Sequence, residues 1–267
     1  MHIRSALMRL AAVAAMPALA VLAFAGTASA ATGSTYHSGE QVGYAITGGQ
    51  FNRASLTVTL PVSHNYAAEV TSFGASVQLW TATRELTFGI SNTTGATDTN
   101  WSPGLAVFDR AGTAPSDVVA SGNSGFGSYS IPQGHQARLT FSYDRATGFV
   151  HATLNDLTAG TGATSAYNLG RGASITQVRV GYEVGCYAPW DLRVVSGCGS
   201  NVTQPAAAVN LPRLGFLSFT SYSGSTAGLN NWWTKHAINM TSNGTGSGTV
   251  LAKPGTGSTG FTPAFQP

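Results

Sequence analysis

Residues 139–154 are Leu139-Thr-Phe-Ser-Tyr-Asp-Arg-Ala-Thr-Gly-Phe-Val-His-Ala-Thr-Leu154. Apolar and polar side chains alternate on both sides of the central five residues, as in two strands that each bury one face. Those central residues, 144–148, end in a glycine, which adopts the positive φ that a tight connection needs. The stretch therefore predicts a β-hairpin that packs one face on a core.

Strand patterns of the same kind recur along the chain, separated by Gly- and Asn-rich turns. They are rich in Val, Thr, Tyr and Phe, whereas no amphipathic helical period occurs beyond the first 30 residues. An all-β fold follows, an antiparallel β-sandwich or jelly roll. Residues 158–172 are predicted to be a loop with one weak strand at most. The predicted strands are Val42–Thr47, Ala54–Leu60, Ala75–Trp80, Glu85–Ile90, Leu105–Phe108, Arg138–Tyr143, Phe149–Leu154, Ile175–Val184 and Leu214–Thr220.

Residues 1–30 have the features of a cleaved secretory signal peptide. A basic start is followed by the apolar run 10–25 and by Ala28-Ser-Ala30, a small-residue cleavage signal. We therefore expect a secreted, extracellular protein without a membrane span. The expected organisation is one β-sandwich domain over residues 31–243 and a C-terminal tail over 244–267, which is rich in Gly, Ser, Thr and Pro and poor in core-forming residues.

The charge of the mature chain argues against nucleic acid as a partner. Without residues 1–30 the net charge is near +1, and no basic stripe typical of a nucleic-acid-binding protein is present. We expect a monomer.

In an oxidising compartment Cys186 and Cys198 are expected to form a disulfide, which would contribute roughly 3 kcal/mol by closing a short loop.

Common catalytic motifs are absent. The sequence contains neither G-x-S-x-G nor H-E-x-x-H, and its histidines lack the paired spacing of a metal site. If both cysteines are bridged, no thiol nucleophile remains. No cofactor and no metal are expected.

Glu183 lies inside a predicted strand, where a carboxylate is expected to have either a structural partner or a catalytic role. It is either a catalytic acid/base, or an ion-pair partner of Arg179 on the same strand or of an Arg on a neighbouring strand. Gln78 lies between Val77 and Leu79, so its side chain should point to the face opposite the core. It is either a site residue or a solvated strand glutamine.

Tryptophans provide a second functional hypothesis. Exposed aromatic side chains stack on sugar rings, so a glycan-binding face is an alternative to catalysis. Because adjacent residues of a strand face opposite ways, at most one of Trp232 and Trp233 lies in a core. The candidate sugar platforms are Trp80, Trp101, Trp190 and Trp232.

Several segments together resemble the glutamic peptidases, or eqolisins. The first is Gly43-Tyr-Ala-Ile-Thr-Gly-Gly-Gln-Phe-Asn-Arg-Ala-Ser-Leu-Thr-Val-Thr-Leu-Pro61. The others are Ile131-Pro-Gln-Gly-His135, the strand 139–143, and His151-Ala-Thr-Leu-Asn-Asp-Leu-Thr-Ala-Gly160. The strand segment Val178–Glu183 and the loop bounded by Cys186 and Cys198 follow in the family's order. The resemblance implies a concanavalin A-like β-sandwich and, with activity retained, an acid endopeptidase.

The resemblance also implies a catalytic pair. In that family a glutamate acts as general base toward water, and a glutamine amide stabilises the oxyanion. Glu183 matches the glutamate position, although alignment on the cysteine places Gly181 there, on the same strand face. Ser102 matches the glutamine position, and Gln78 on a neighbouring strand is the alternative donor.

Three functions therefore follow from the sequence. The first is a secreted acid endopeptidase that acts on polypeptides through Glu183 and either Gln78 or Ser102. The second is a non-catalytic, lectin-like sandwich that binds carbohydrate or cell wall. The third is a structural surface protein without either activity.

Overall fold

The structure, a computed structural model, describes residues 32–38, 41–60, 72–93, 99–109, 118–122, 125–185, 214–221, 226–227, 233–241, 246–257 and 260–265. Residues 1–30, both cysteines, Trp190 and Trp232 lie outside the described residues. The signal peptide, the disulfide and two of the sugar platforms therefore stay predictions.

The described residues form β-strands joined by turns, without any helix. All nine strands predicted from the sequence are present, and most extend further by one to five residues at one or both ends. In chain order the strands are β1 (Tyr36–Ser38), β2 (Gln41–Thr47), β3 (Phe51–Thr59), β4 (Ser72–Trp80), β5 (Arg84–Thr93), β6 (Asn100–Asp109), β7 (Val118–Gly122), β8 (Ile131–Pro132), β9 (Gln136–Asp144), β10 (Phe149–Asp156), β11 (Thr161–Asn168), β12 (Gln177–Gly185), β13 (Leu214–Ser221), β14 (Thr226–Ala227), β15 (Thr234–Thr241), β16 (Val250–Lys253), β17 (Gly260–Phe261) and β18 (Ala264–Phe265).

The strands form two sheets that face each other, which confirms the predicted all-β sandwich. The larger sheet has the order β18-β16-β15-β2-β12-β4-β5-β6-β7, with β1 beside β15 and β8 beside β6. The smaller has the order β11-β10-β9-β3-β13-β14, with β17 beside β13. Nearly all neighbouring strands are antiparallel, the exception being β1 with β15.

The hairpin predicted at residues 139–154 is formed by β9 and β10. Asp144 Oδ1 accepts a hydrogen bond of 2.9 Å from the Ala146 N–H, and Gly148 has φ of 83°. On the inner face of the hairpin, Phe141 packs against Phe88 of β5 with ring centroids 5.7 Å apart. This contact joins the two sheets, and it places the core between them. The buried hairpin residues are Leu139, Phe141, Tyr143, Val150, Ala152 and Leu154.

Asp156 closes the connection from β10 to β11. Its Oδ1 accepts hydrogen bonds from the backbone N–H groups of Thr158 (2.9 Å) and Ala159 (3.0 Å). Its Oδ2 lies 2.7 Å from Nδ1 of His135. The stretch 158–172 was predicted to be a loop with one weak strand at most, and β11 shows that the strand is a full edge strand paired along its length with β10. Apart from Tyr167, its sequence has no bulky apolar side chain to signal a strand.

The C-terminal segment is also more ordered than its composition predicts. Instead of forming a tail outside the sandwich, the described residues 250–257 and 260–265 add β16 and β18 to the larger sheet and β17 to the smaller one. Ala252 and Phe261 are buried in the core, and the Phe261 ring meets Tyr44 edge-on at 5.0 Å. These two buried apolar side chains stabilise the contact of the segment with the core.

The burial of Phe261 predicts that its side chain contributes to the free energy of unfolding. Phe261→Leu should destabilise the protein by about 1–2 kcal/mol, because it removes buried apolar surface and the aromatic contact with Tyr44. Chemical denaturation measures the change. Phe149→Leu is the matched control, because Phe149 is 38% exposed and a surface change of this kind stays within about 0.5 kcal/mol. Equal effects of the two substitutions would contradict a core position for Phe261.

The described part of the chain contains no helix long and apolar enough to cross a membrane. Within it, no three His, Cys, Asp or Glu side chains come close enough together to hold a metal ion.

Candidate functional site

The outer face of the larger sheet brings polar residues of β4 and β12 together. Val77 and Leu79 of β4 point into the core, so Ser76, Gln78 and Trp80 point to the other face. On β12, Val178 and Val180 are buried in the core and Glu183 has the opposite parity. The antiparallel register sets the cross-strand pairs Gly181–Ser76 and Glu183–Gly74.

Glycines make room for the Glu183 side chain. Gly74 lies directly opposite Glu183, and Gly181 lies opposite Ser76, so neither position places a side chain beside the carboxylate. A Cβ atom at Gly74 would come 2.6 Å from the carbonyl oxygen of Ile90, and one at Gly181 would collide with the carbonyl oxygen of Val42. The close approach of the strands therefore requires glycine at both positions.

The carboxylate of Glu183 accepts two hydrogen bonds from β4. Ser76 Oγ donates to Oε1 at 2.5 Å, and Gln78 Nε2 donates to the same oxygen at 2.8 Å. Ser76 and Gln78 are buried, and Glu183 is partly exposed. The first distance is typical of a hydroxyl that donates to an ionised oxygen. The structure therefore brings two of the sequence-predicted catalytic residues, Glu183 and Gln78, into direct contact.

The Gln78 amide contacts Trp80, which is the first of a series of stacked side chains. Trp80 Nε1 donates to Gln78 Oε1 at 3.0 Å, and the guanidinium of Arg179 lies over the Trp80 ring, 3.7 Å from its centroid. The Tyr36 ring is 5.6 Å from the same guanidinium and stacks on the His236 ring at 4.5 Å. Arg179 was the alternative, structural partner of Glu183. Its guanidinium packs on the Trp80 ring, so it acts on Glu183 through its positive charge.

Burial raises the pKa of Glu183 above its ordinary value. Desolvation is the largest influence, and the hydrogen bonds from Ser76 and Gln78 and the positive charge of Arg179 oppose it in part. The native state therefore holds the Glu183 proton more tightly than the unfolded chain does. The stability that this carboxyl contributes is complete below its unfolded pKa and is lost as the pH rises through the native pKa.

The sign of this shift makes a prediction for Glu183→Gln. The amide keeps an acceptor for Ser76 and Gln78 but has no proton to lose, so the variant should melt at a higher temperature than the parent at pH 7. A rise on the order of 2–4 °C corresponds to about 1 kcal/mol in a domain of this size. At pH 3 the two proteins should melt alike. Thermal scans at both values test it, and Glu85→Gln on the same face controls for loss of a charge. A variant that is less stable at pH 7 would contradict the sign.

Ser102 is not part of this cluster. It pairs with Ser91, Ser91 pairs with Gly74, and Gly74 pairs with Glu183, so β4 and β5 stand between Ser102 and Glu183. At about 4.8 Å per strand, the two backbones are roughly 14 Å apart. The structure thus corrects the expectation that Ser102 donates to an oxyanion formed beside Glu183. Gly181, two residues before Glu183 on the same face, lies directly opposite Ser76 and has no side chain that could act as a base.

The described tryptophans offer little free ring surface to a sugar. Trp101 is 1% exposed and belongs to the core, so it cannot stack on a sugar. One face of Trp80 is covered by Arg179. Trp233, partly exposed, packs edge-on against Phe51 at 4.9 Å and covers the core.

Two residues of the site were missed by sequence reasoning. Ser76 shares the parity of Gln78, two residues before it, and that spacing was the available signal. Gln41 pairs in register with Glu183 from β2, on the side away from β4, and is 4% exposed. Its side-chain nitrogen is buried without a hydrogen-bond partner. No local pattern pointed to Gln41, since strand pairing alone brings it beside the carboxylate.

The fold has known counterparts among solved structures. Scytalido-glutamic peptidase with a transition-state analogue inhibitor aligns with a TM-score of 0.55 and 14% identity, over 87% of this chain and 100% of that one. SCP-B, a member of the eqolisin family of peptidases solved with the tripeptide Ala-Ile-His, aligns with a TM-score of 0.50, at the same identity and coverage. No protein-family model and no curated protein matches the sequence. At this identity the likeness establishes the fold, that of a glutamic-peptidase-like β-sandwich.

Proposed function

We infer that the chain is a secreted endopeptidase of the glutamic type, which hydrolyses peptide bonds through a water molecule activated by Glu183. The observation that carries this function is the hydrogen bond of 2.8 Å from Gln78 Nε2 to Glu183 Oε1. A carboxylate and an amide in contact provide a proton acceptor and an oxyanion donor at one point. The sandwich fold shared with glutamic peptidases supports the same conclusion.

The reaction needs only groups of the chain and water. The Glu183 carboxylate takes a proton as the water oxygen bonds to the peptide carbonyl carbon. Gln78 Nε2 carries two hydrogens, so one can stay on Glu183 while the other binds the oxyanion. When the C–N bond breaks, the proton on Glu183 passes to the leaving nitrogen. The carboxylate is then restored, and the products are a carboxylic acid and an amine.

The raised pKa of Glu183 sets the expected pH profile. A general base must be ionised, so kcat/KM should rise with pH through the native pKa of Glu183, which lies above the ordinary 4.5. Cleavage of a denatured protein substrate by the purified mature chain, followed from pH 2 to 7, measures this limb. No cleavage at any pH would refute the peptidase function. A rate already maximal at pH 2–3 would contradict the base role and assign the reactive form to the protonated carboxyl.

A further inference from the structure

The orientation of the Gln78 amide is fixed by Trp80. An indole N–H can only donate a hydrogen bond, so the Gln78 atom 3.0 Å from Trp80 Nε1 must be the carbonyl oxygen. The amide nitrogen then necessarily faces Glu183. The usual ambiguity between the two ends of a glutamine side chain is thus removed by a neighbour with one possible role.

Trp80 is itself held in place. Arg179 lies against its ring at 3.7 Å, a favourable contact between a cation and an aromatic face. Tyr36 and His236 continue the stack, and both ring nitrogens of His236 lie 2.9 Å from oxygens, Oγ1 of Thr47 and the carbonyl oxygen of Ser34. The indole therefore has partners on its face and at its N–H, which together hold its position.

A fixed Gln78 amide decides where the Glu183 proton can reside. Oε1 accepts from Gln78 Nε2, which has no lone pair to accept in return. A proton on Oε1 that pointed at Gln78 would put an O–H against an N–H across 2.8 Å. Ser76 can rotate its hydroxyl to accept the proton, but the amide cannot. The protonated carboxyl therefore directs its hydrogen to Ser76 or carries it on Oε2, and never toward Gln78.

We propose that Trp80 is a positioning residue that locks Gln78 as a permanent donor to Glu183 and thereby prevents the amide from binding the acidic proton. This assignment rests on the proposed function, because that function gives the acidic proton its destination, the leaving nitrogen. Without Trp80 the amide would be free to turn over when Glu183 is protonated and to accept a hydrogen bond from the carboxyl group. Trp80 thus keeps the proton available for transfer.

Other groups lie on this face near Trp80 and Glu183, and the test has to separate their effects. Arg179 is on β12 itself, Tyr36 and His236 come from β1 and β15, and Glu85 from β5 lies in register with Trp80. From β2 comes Gln41, which is uncharged. Loss of the indole would admit water and release Arg179, and both changes lower the pKa of Glu183. Loss of the amide lock acts in the opposite direction, because it stabilises the protonated form.

The experiment is a titration of Glu183 in Trp80→Phe. The chain has four glutamates, so labelling with ¹³C-carboxyl glutamate gives few signals, and Glu183→Gln identifies the one that matters. We expect the Glu183 midpoint to move upward in Trp80→Phe by about 0.5 pH unit or more, the effect of one hydrogen bond. In the Gln78→Leu background, the same substitution should add no upward shift. Trp233→Phe, at the edge of the core, is the matched control and should leave the midpoint unchanged.

An unchanged or lowered midpoint in Trp80→Phe would overturn the proposal, and so would an equal upward shift in the Gln78→Leu background. If Trp80→Phe does not fold, hydrogen exchange of the Trp80 indole N–H in the unmodified protein decides instead. It should be protected on both sides of the Glu183 transition, and free exchange on either side would overturn the lock. Neither readout requires turnover, so a failed peptidase assay and a failed lock are distinguishable.

Discussion

Glu183→Gln should reduce kcat/KM for peptide hydrolysis by about 10²–10⁴-fold, the contribution usual for a positioned acid/base group. The substitution keeps the size of the side chain and an oxygen that can accept from Ser76 and Gln78, so the site should stay assembled. Only the ability to take and return a proton is lost. Steady-state assays across the active pH range measure the change, alongside the thermal scans that report folding.

The matched control for this variant is Glu85→Gln. Glu85 lies on the same face and in a neighbouring strand of the same sheet, where its Oε1 accepts from Thr87 at 3.5 Å. It should retain nearly full activity. If Glu183→Gln were as active as the parent, Glu183 would not be the base, and the fold would carry a different function or none.

Gln78→Leu should lower kcat by about 10²–10³-fold, the loss measured when one oxyanion donor is removed from other hydrolases. Because the amide binds the oxyanion of the transition state more strongly than the substrate carbonyl, KM should change much less than kcat. The same variant should raise the pKa of Glu183, since it removes one of the hydrogen bonds that favour the ionised form. Steady-state kinetics and the glutamate titration together check both parts.

Ser102→Ala provides the comparison that decides between the two candidate donors. Two strands separate Ser102 from Glu183, so its removal should leave kcat and KM unaltered. A large loss in Ser102→Ala with little loss in Gln78→Leu would reverse the assignment. It would also mean that the substrate carbonyl binds away from the Glu183 carboxylate.

Local alternation was sufficient to predict most of the sandwich, and it failed where side chains are small. The hairpin at 139–154 combines bulky apolar residues with a glycine turn, both of which act locally. β11 and the strands after residue 250 have no such pattern, and they form because neighbouring edges offer hydrogen bonds and a few buried contacts such as Phe261. Burial in three dimensions overrode weak intrinsic preference there.

Parity along a strand was enough to place Gln78 on the face away from the core, but not to pair it with Glu183. That pairing joins residues 105 positions apart, and it depends on the register of β4 against β12. Matching the chain to the family's segments pointed to Ser102, because a match of sequence segments contains no information on which strands lie between them in the sheet. The order of the larger sheet, known only from the structure, separates the two candidates.

The carboxylate that closes the β10–β11 connection makes the smaller sheet sensitive to acid. Desolvation raises the pKa of Asp156, but the hydrogen bond with His135 and those from the backbone of Ala159 and Thr158 outweigh it, so the net shift is downward. The stability that Asp156 contributes is therefore present above its unfolded pKa and is lost as the pH falls through the native one. Acid therefore favours the folded state at Glu183 and disfavours it at Asp156. The two effects arise on different sheets, on opposite sides of the core.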